Sequence, residues 1–517
     1  MEPWANEFAA AWRVHRDAMN DAERPPARTI RSGLAHSAPG MLCCPHRRTS
    51  GDVNCEAIHT PAAANSFAHR LIRPGPSPTF RAPTAQIAHG LSPTTSFGLY
   101  PLALFPRFPS PVLLHRNAIS FTRSHLPSHP TERSMDLANV RPLFPILKER
   151  TYLFSGGHAP ASTPALQAME AVASLWTHDM AVLYGRLYDD HTRARELLAG
   201  LIGADVDEVA VTDSTGTGSN YAVAMVDIPK KGNVVFDEWS YPSSIFPWML
   251  PGRDHIERRF VKARNGVIDY NDLEKAIDGG TVAVSISHVT QGEGFRHDLA
   301  QASRLAHAKG AVLIVDAAQS AGAVSIDVRR DGIDFLSTGA CKWLLGATGV
   351  GFFYAARRHM SHIPPHAGAP SSASDPMNAG REPFIPKPGA ERFTIGIPNL
   401  LGLAASRAGL EILASAGIDA VEARVLDLTG YCIEGLKSRG FDLLTPSDPK
   451  RRGGVIAAVT DHGPEIEAFM RERKIDIFGG HTYNRSLRID PHLFNTREDI
   501  DRLLEALDEW GRVERGK

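Results

Sequence analysis

One stretch of the chain, residues 311–354, constrains the fold more than any other. Four apolar residues, Val312 to Val315, lead directly into Asp316, and a second apolar run, Ile333 to Leu336, precedes Lys342. Continuous apolar runs of this kind are typical of strands that are buried on both faces of a parallel sheet. Ligands of open α/β sheets bind at the carboxyl ends of the strands, which is where Asp316 falls. The stretch therefore predicts an α/β fold with a mostly parallel sheet and a functional site at that edge.

A carboxylate, an amide and an amine follow one another in this stretch, at Asp316, Gln319 and Lys342. Pyridoxal phosphate uses a lysine amine to form a Schiff base, a carboxylate against its ring nitrogen, and a polar group near its ring hydroxyl. A lysine in an enclosed, electropositive site loses its proton more readily and becomes a nucleophile. We therefore expect pyridoxal 5'-phosphate as the cofactor. The alternative for each residue taken alone is structural, as a buried Asp that caps a turn or a Lys on a loop.

The stretch resembles the class V family of pyridoxal-phosphate-dependent aminotransferases, whose relatives include cysteine desulfurases, selenocysteine lyases, isopenicillin N epimerases and kynureninases. The resemblance implies the transferase fold type I, with a mostly parallel sheet in a large domain and a smaller α+β C-terminal domain. It implies Lys342 as the Schiff-base lysine, Asp316 as the partner of the pyridinium nitrogen and Gln319 as a neighbour of the ring oxygen. It also implies a homodimer, because sites in this family are usually built across a two-fold interface.

A second motif, residues 209–225, has a strand, a turn rich in Ser, Thr and Gly, and an apolar helix. Such a turn points free amides and hydroxyls at an anion on a helix N-terminus. In the family this is the cofactor phosphate site, and the resemblance places Ser214, Thr215 and Gly216 there, with Thr217 as a weaker candidate. An ordinary helix cap is the alternative.

Two further side chains are placed near the cofactor ring by the resemblance. Relatives have an aromatic or imidazole ring that stacks on the pyridine where this chain has Tyr241; desulfurases usually have His. Tyrosine can stack, but it shuttles protons poorly near neutral pH. Gln291 falls where relatives place a side chain near the ring oxygen. It lies in a strand-loop-helix unit over 282–310, which predicts a βαβ crossover, and we expect the nearby His288 to be a structural residue at the strand end.

The resemblance maps Arg488 onto the arginine that binds the substrate carboxylate, with Arg485 as the fallback. A guanidinium suits this role because it can donate two parallel hydrogen bonds to a carboxylate. A surface salt bridge is the alternative reading of Arg488. The substrate class expected from this residue is a small α-amino acid.

Three departures from the family pattern bear on the reaction. Desulfurases hold a nucleophilic Cys on a loop just before the substrate arginine, but residues 477–486 (IFGGHTYNRS) contain none, and Cys432 is expected to be buried in a helix. Cys341 precedes the Schiff-base lysine where relatives often have a His that contacts the phosphate. Residues 396–398 are Gly-Ile-Pro where relatives have Gly-Thr-Pro, whose hydroxyl reaches the phosphate of the neighbouring subunit.

These departures favour an aminotransferase, in which Lys342 acts first as the Schiff-base partner and then as the base that moves the Cα proton. A lyase that works by β-elimination or by desulfuration without the loop cysteine, or an amino-acid epimerase, would keep the cofactor and change the reaction. A third hypothesis is a catalytically idle fold that serves binding or assembly. A nicotinamide enzyme is disfavoured because no G-x-G-x-x-G follows the first strand.

Composition sets outer limits on the function. The net charge of −1 gives no reason to expect nucleic acid or membrane partners, and the sequence has no apolar run of about eighteen residues. The five cysteines are few for 517 residues and show no metal-ligand spacing. We therefore expect no metal site, no disulfide framework and a cytoplasmic location.

The first 134 residues differ from the rest, with 14 Arg, no Lys and 17 of the 37 prolines. Segments interrupted by Pro in this way cannot propagate a helix or lie inside a sheet. We therefore expect a disordered extension over 1–134. The favoured explanation is that the reading frame was called too far upstream and that the natural start is Met135; an organelle transit peptide is the less favoured alternative. We expect a lead-in segment and a large cofactor-binding domain over 135–394, and a small C-terminal domain over 395–517.

Hydrophobic periodicity predicts the individual elements of these domains. Helices are expected over 165–176 and 191–202, the second ended by Gly203. The C-terminal part is expected to run as helix 419–439, strand 455–459, helix 464–473, strand 487–490 and helix 496–511.

Overall fold

The computed structural model describes residues 135–264, 266–360, 367–377, 383–481 and 485–515. The chain divides into two units, of which residues 24–126 lie wholly outside these ranges. The prediction of a disordered extension over 1–134 also falls outside the described residues. All of the described residues belong to the other unit, which contains residues 127–517.

The described residues form strands and helices that alternate along most of the chain. The strands are β1 Thr151–Tyr152, β2 Val209–Thr212, β3 Gly232–Asp237, β4 Ile256–Val261, β5 Ala263–Arg264, β6 Val267–Ile268, β7 Thr281–Ser287, β8 Val312–Asp316, β9 Phe335–Gly339, β10 Gly351–Ala355, β11 Ile456–Val459, β12 Ile475–Asp476, β13 Phe478–His481 and β14 Ser486–Ile489. The helices are α1 Thr163–His178, α2 Met180–Ile202, α3 Thr215–Ala224, α4 Pro242–Ile245, α5 Tyr270–Ala276, α6 Leu299–His307, α7 Arg357–Met360, α8 Leu400–Ala416, α9 Ile418–Ser438, α10 Gly463–Glu472 and α11 Arg497–Arg515.

The largest sheet has seven strands in the order β2-β10-β9-β8-β7-β3-β4. Neighbouring strands run parallel except at β10, which is antiparallel to both β2 and β9. The central strands β7, β8 and β9 are buried along most of their length, as strands covered on both faces must be. The α/β fold with a mostly parallel sheet, predicted from residues 311–354, is confirmed.

The register of this sheet aligns polar residues at its carboxyl edge. Ser287, the last residue of β7, pairs with Asp316, the last residue of β8, and Asp316 pairs with Ser337 of β9. The turn after β9 carries Lys342. The predicted βαβ unit over 282–310 corresponds to β7, α6 and the approach to β8. The edge where the sequence predicted a site therefore contains the expected side chains.

The first two helices extend beyond their predicted bounds. α1 is longer than the predicted 165–176 by two residues at each end. α2 begins at Met180 rather than at residue 191, because Asp179 caps it by accepting a hydrogen bond from the amide of Val182 at 3.1 Å. α2 ends before Gly203 as predicted, where the φ angle of 70° gives the left-handed C-cap that favours glycine.

The C-terminal part contains a three-stranded antiparallel sheet in the order β11-β14-β13. Helices α9, α10 and α11 pack with this sheet around a second core, which includes Leu428, Cys432, Leu487 and Ile500. The predicted elements of this part agree with the structure to within one residue, except that α11 continues to Arg515. The domain boundary at 394/395 stays a prediction; α8, which follows it, packs against α1 and α2.

The lead-in segment, residues 135–162, packs against the core of the seven-stranded sheet and also pairs with the C-terminal part. β1 pairs in parallel with β12, and Phe154 forms a bridge with Asp490 directly after β14. Leu153 is fully buried in the same core as β14. This pairing brings Gly156 next to the end of β14.

The helices fall short of the length and hydropathy that a membrane span requires. Within the described ranges, no single helix is long and apolar enough to cross a membrane. Helices α8 and α9 reach that length and composition only as a pair, with a bend of 86° between them. Most of the apolar side chains of α8 are buried in the protein core.

A buried carboxylate, Asp334, ties the start of β9 to the surrounding helices. It accepts hydrogen bonds from His307 of α6 at 2.7 Å, from Arg358 and His359 of α7, both at 2.5 Å, and from the amide of Leu313 at 2.8 Å. Burial acts to raise the pKa of Asp334, but these donors outweigh it and hold the pKa below its usual range.

Replacing Asp334 with Asn should lower the free energy of unfolding near pH 7 by about 2–3 kcal/mol, because hydrogen bonds to a buried charge are lost. Since the folded-state pKa lies below the unfolded one, the stabilisation is present above about pH 4 and disappears as the pH falls through the folded value. The gap between wild type and variant should therefore shrink at low pH in denaturant titrations. The matched control is Asp427→Asn, which removes an exposed pair with Arg497 and should have a much smaller effect. A gap that stays constant down to about pH 3 would contradict this assignment.

Candidate active site

Asp316 ends β8 in the interior, with 4% of its surface exposed. Its Oδ1 accepts a hydrogen bond from the amide of Ala318 at 3.0 Å, and its Oδ2 accepts from the hydroxyls of Ser243 at 3.0 Å and Ser244 at 3.3 Å. Burial raises the pKa of Asp316, because these donors and the charge of Lys342 only partly replace the lost water. A buried carboxylate in this state is suited to pair with a cation that a ligand brings.

Lys342 lies in the turn after β9, with its Nζ 5.8 Å from the centroid of the Tyr241 ring. Burial, and then the positive charge of Arg488, lower the pKa of the Lys342 amine, while the charge of Asp316 opposes this. Burial also raises the pKa of Tyr241, whose amide donates to the hydroxyl of Ser287 at 2.9 Å. A lysine with a lowered pKa is neutral more often, so this amine is suited to attack a carbonyl carbon.

The side chain of Gln319 links the two sheets. Its Nε2 donates to the carbonyl of Gly156 at 3.0 Å, and its Oε1 accepts from Trp343 Nε1 at 2.8 Å and from Arg488 Nη2 at 3.1 Å. Gln319, Trp343 and Arg488 are all buried. A primary amide has two N–H groups, so one remains for a ligand. The predicted position of Gln319 near a ring oxygen stays a prediction.

The two arginines considered for the substrate carboxylate have different surroundings. Arg488 lies on β14 with 2% of its surface exposed, and its Nε donates to Asp490 Oδ1 at 3.0 Å. Arg485 is exposed and pairs with Asp461 at the surface. Arg488 therefore remains the candidate, and the fallback Arg485 is a surface salt bridge.

The packing of Arg488 and its partners leaves no room for a side chain at Gly156. A Cβ at this position would lie 2.1 Å from Arg488 Nη2, 2.7 Å from Gln319 Oε1 and 2.8 Å from Asp490 Oδ2. Contacts below 3.0 Å would force the network apart. At Gly156 the lead-in segment thus approaches the candidate substrate arginine with backbone atoms, and the ring of Phe154 lies 5.9 Å from the same guanidinium.

The turn between β2 and α3 contains Ser214, Thr215 and Gly216. Ser214 caps α3, because its Oγ accepts a hydrogen bond from the amide of Thr217 at 3.2 Å. The carboxylate of Asp213 accepts from the hydroxyls of Ser214, at 3.0 Å, and Thr217. Thr215 lines the central cavity. An ordinary cap and an anion site, the alternatives that the sequence left open, are compatible here, since the helix N-terminus faces the cavity side of the sheet.

A cavity at the carboxyl edge brings most of the predicted residues together. It is lined by Thr215, Tyr241, Ser243, Ser287, Val289, Gln291, Asp316, Ala318, Gln319 and Lys342. Gln291 Oε1 is buried without a hydrogen-bond partner among the described residues. Buried polar atoms are normally satisfied, so this oxygen indicates a group that a ligand supplies.

Several residues of the site were not singled out from the sequence, among them Ser243, Ser244, Ser287 and Asp490. Ser243 and Ser244 follow Tyr241 closely and lie in the first turn of α4, so two hydroxyls after the predicted ring were a usable signal. Ser287 ends the strand beside β8, which became meaningful only through the register. Asp490 stands two residues after Arg488, a spacing that puts two side chains on the same face of a strand.

Cys432, Cys341, His288 and Ile397 lie outside the set of cofactor-binding and substrate-binding residues that the sequence predicted. Cys432 is buried in α9, as predicted, and burial raises its pKa to about 12. Burial also raises the pKa of the half-buried Cys341, so neither thiol is an activated nucleophile. His288 is buried directly after β7, and burial lowers its pKa well below the usual range. Ile397, which replaces the family threonine, has 66% of its surface exposed.

Within the described parts of the chain, no group of three or more His, Cys, Asp or Glu side chains is arranged to hold a metal ion.

The side chains around the cavity fit pyridoxal phosphate. Asp316 offers a buried carboxylate to the ring nitrogen, and Tyr241 offers a ring that can stack on the pyridine. The turn at 214–216 offers a helix N-terminus to the phosphate, and Lys342 offers its amine to the aldehyde. The unpartnered oxygen of Gln291 marks a further polar contact.

Comparisons with known proteins agree with this fit. The family model for class-V aminotransferases matches residues 151–503, which is more than half of the chain. A probable cysteine desulfurase of Methanothermobacter thermautotrophicus is 29% identical over 400 residues, covering 72% of this chain and 98% of that protein. A probable cysteine desulfurase of Pyrococcus abyssi is 25% identical over 394 residues, covering 72% and 96%. The isopenicillin N epimerase of Streptomyces clavuligerus is 29% identical over 332 residues, covering 61% and 83%.

Solved structures show the same fold. A cysteine desulfurase from Thermococcus onnurineus NA1 matches with a TM-score of 0.65 at 24% identity, covering 72% of this chain and 97% of that one. The cysteine desulfurase CsdA from Escherichia coli matches with a TM-score of 0.66 at 22% identity, covering 73% and 99%. The predicted transferase fold type I is thereby confirmed. The match to the family model bears out pyridoxal phosphate as the predicted cofactor. The chain belongs to the class V aminotransferase family of pyridoxal-phosphate-dependent enzymes.

Proposed function

We propose that this class V enzyme transaminates a small α-amino acid and that Lys342 is its central catalytic residue. The observation that carries the proposal is the amine of Lys342, which burial and Arg488 make less basic, in one cavity with Asp316 and Tyr241. The bound cofactor supplies an electron-withdrawing ring that stabilises negative charge at the substrate Cα.

Asp316 would hold that ring in its protonated form. Its carboxylate is fixed by the amide of Ala318 and the hydroxyls of Ser243 and Ser244, so it can accept a ring N–H without reorganising. Its loss of water favours a close positive partner. The cofactor would therefore be oriented by an interaction at the buried end of the cavity.

Lys342 would first bind the cofactor and afterwards move a proton. Its free Nζ would take the proton from the substrate Cα and hold it until it is returned later in the half-reaction. The lowered pKa supports this role, because a general base must be unprotonated near the working pH. Transamination requires no second acid or base beyond this amine.

Arg488 would bind the substrate carboxylate. The guanidinium is held in place by Asp490 and Gln319, and its remaining N–H groups can donate to two carboxylate oxygens. A carboxylate fixed there would leave the α-amine free to reach the cofactor. This role of Arg488 supports an α-amino acid as the substrate, and a small side chain is part of the proposal.

The choice of transamination over other reactions rests on what the chain lacks in sequence. Residues 477–486 contain no cysteine that could accept sulfur, and the two described cysteines have raised pKa values. The second candidate is a lyase that eliminates from the β-carbon, which the names of the desulfurase relatives favour. An epimerase is a third possibility, suggested by the Streptomyces relative.

A homodimer and a cytoplasmic location remain proposals. Exposed apolar side chains on adjacent turns of α1 and α2 support the dimer: Trp176, Met180, Val182, Tyr184 and Tyr188. An apolar surface of this kind commonly marks an interface, and sedimentation velocity can decide whether it is one.

Borohydride reduction of the enzyme with bound cofactor should attach the cofactor covalently to Lys342. Peptide mapping by mass spectrometry identifies the modified residue. Lys342→Ala should retain bound cofactor but lose turnover, because Asp316 and the phosphate site remain while the proton-moving amine is gone. The matched control is Lys275→Ala, a surface lysine paired with Asp272, which should behave as wild type. Attachment to a different lysine would refute the assignment.

Replacing Arg488 with Ala should weaken amino-acid binding by about 2–5 kcal/mol, because a buried ion pair with the carboxylate is lost. The dissociation constant can be followed through the change in cofactor absorbance on titration. Arg485→Ala removes the same charge from the surface pair with Asp461 and should leave the constant nearly unchanged. Equal effects of the two substitutions would show that Arg488 does not contact the substrate.

The reaction type can be decided in single half-reactions without an amino acceptor. The enzyme with bound cofactor is mixed with a panel of small amino acids that includes cysteine, and products are separated by chromatography. We expect release of the matching keto acid, limited to one equivalent per site. Release over many turnovers of sulfide with pyruvate and ammonia, as β-elimination gives, or of alanine, as desulfuration gives, would favour the lyase over the aminotransferase.

A further inference from the structure

The candidate substrate arginine is already paired inside the protein. Arg488 Nε lies 3.0 Å from Asp490 Oδ1 and 2.9 Å from Asp490 Oδ2. The exposed fraction of the side chain is 2% for Arg488 and 0% for Asp490, so solvent hardly screens the pair. The negatively charged carboxylate of Asp490 therefore contacts the guanidinium that is proposed to bind the substrate carboxylate.

Asp490 is held by its backbone as well. Its amide donates to the carbonyl of Leu153 at 2.7 Å, and its carbonyl accepts from the amide of Ser155 at 3.2 Å. These bonds attach the end of β14 to the lead-in segment. They fix the backbone from which the carboxylate of Asp490 extends, and the hydrogen bond from Arg488 Nε holds the carboxylate itself.

The paired guanidinium keeps donors for a ligand. Arg carries five N–H groups. In the described residues, Asp490 engages the one on Nε and Gln319 engages one on Nη2. Two N–H groups on Nη1 and one on Nη2 remain, which is enough for two hydrogen bonds to a carboxylate. Arg488 thus retains the geometry for a carboxylate while its net charge is offset.

Three buried charges act on the amine of Lys342. Arg488 is positive, and Asp316 and Asp490 are negative. Burial raises the pKa of Asp490, while Arg488 and then Lys342 oppose this and favour its ionised form. A carboxylate that reaches Arg488 therefore feels the attraction of the guanidinium and the repulsion of Asp490 together.

We propose that Asp490 is a positioning residue that fixes Arg488 and offsets its charge, so that the enzyme recognises its substrate more by hydrogen-bond geometry than by the negative charge of a carboxylate. The substrate class then extends to amines that carry a neutral group, such as a carboxamide, in place of the carboxylate. This inference rests on the proposed function of Arg488. The opposite arrangement, in which Asp490 only orients Arg488 for tight carboxylate binding, makes a prediction of opposite sign.

The test measures dissociation constants for glycine, L-alanine and L-serine and for their carboxamides, using the absorbance of the cofactor bound to the full-length chain. In the wild type we expect each amide to bind within about tenfold of its amino acid. In Asp490→Asn, which keeps an acceptor for Nε and removes the charge, the amino acids should bind at least about tenfold more tightly. The amides should change by less than about threefold.

Asp461→Asn is the matched control, because it removes the carboxylate of the exposed pair with Arg485 and should leave every constant unchanged. Tighter amino-acid binding with unchanged amide binding supports the proposal. Weaker amino-acid binding in Asp490→Asn, or an unchanged ratio of the two constants, overturns it. If the variant does not fold, the wild-type ratio decides, since a preference for the acid above about a hundredfold also overturns the proposal. Absence of any spectral change with all six ligands would instead refute the proposed function itself.

Discussion

Three charged groups converge on the amine of Lys342, and the architecture of the site depends on how they balance. Asp316 and Asp490 carry negative charge, and Arg488 lies near Lys342 as a second positive group. Burying a charge without a partner is costly, so each of these groups must be satisfied by an opposite charge or by hydrogen bonds. Asp316 obtains donors from α4 and the turn after β8, and Arg488 obtains acceptors from Asp490 and Gln319.

This requirement ties the two sheets and the lead-in segment to one another. Asp316 and Gln319 belong to the large sheet and its edge, whereas Arg488 and Asp490 belong to the small antiparallel sheet and its end. Gln319 is the direct contact, since its amide bonds to Arg488 on one side and to Gly156 on the other. The lead-in segment contributes backbone groups and, at its glycine, the room that the guanidinium needs. A shift of the small sheet would therefore move the arginine relative to the amine of Lys342.

The sequence alone determined the fold class, the cofactor and the first candidate site residues, Asp316, Gln319 and Lys342. Continuous apolar runs that end in Asp316 and precede Lys342 report buried parallel strands, and a strand end is a local feature that a single sequence can show. Five of the C-terminal elements were also predicted, because hydrophobic periods mark helices and longer strands, whereas the strands β12 and β13 were not. Resemblance then supplied Tyr241, Gln291 and Arg488, which no local pattern would have assigned.

Only the tertiary structure decided which polar residues meet. Ser287 acquires meaning through the register of β7 against β8, and Ser243 and Ser244 do so through the position of α4 above Asp316. The sequence does not distinguish Arg488 from Arg485 as the substrate arginine. In the folded chain Arg488 is buried beside Gln319, whereas Arg485 forms an ion pair at the surface. The pairing of Arg488 with Asp490 is likewise decided by burial, because the same two residues on an exposed strand would be screened by water. A hydrophobic pattern is a local property that the sequence shows directly. Desolvation and contacts between distant residues arise only when the chain folds, so only the tertiary structure shows them.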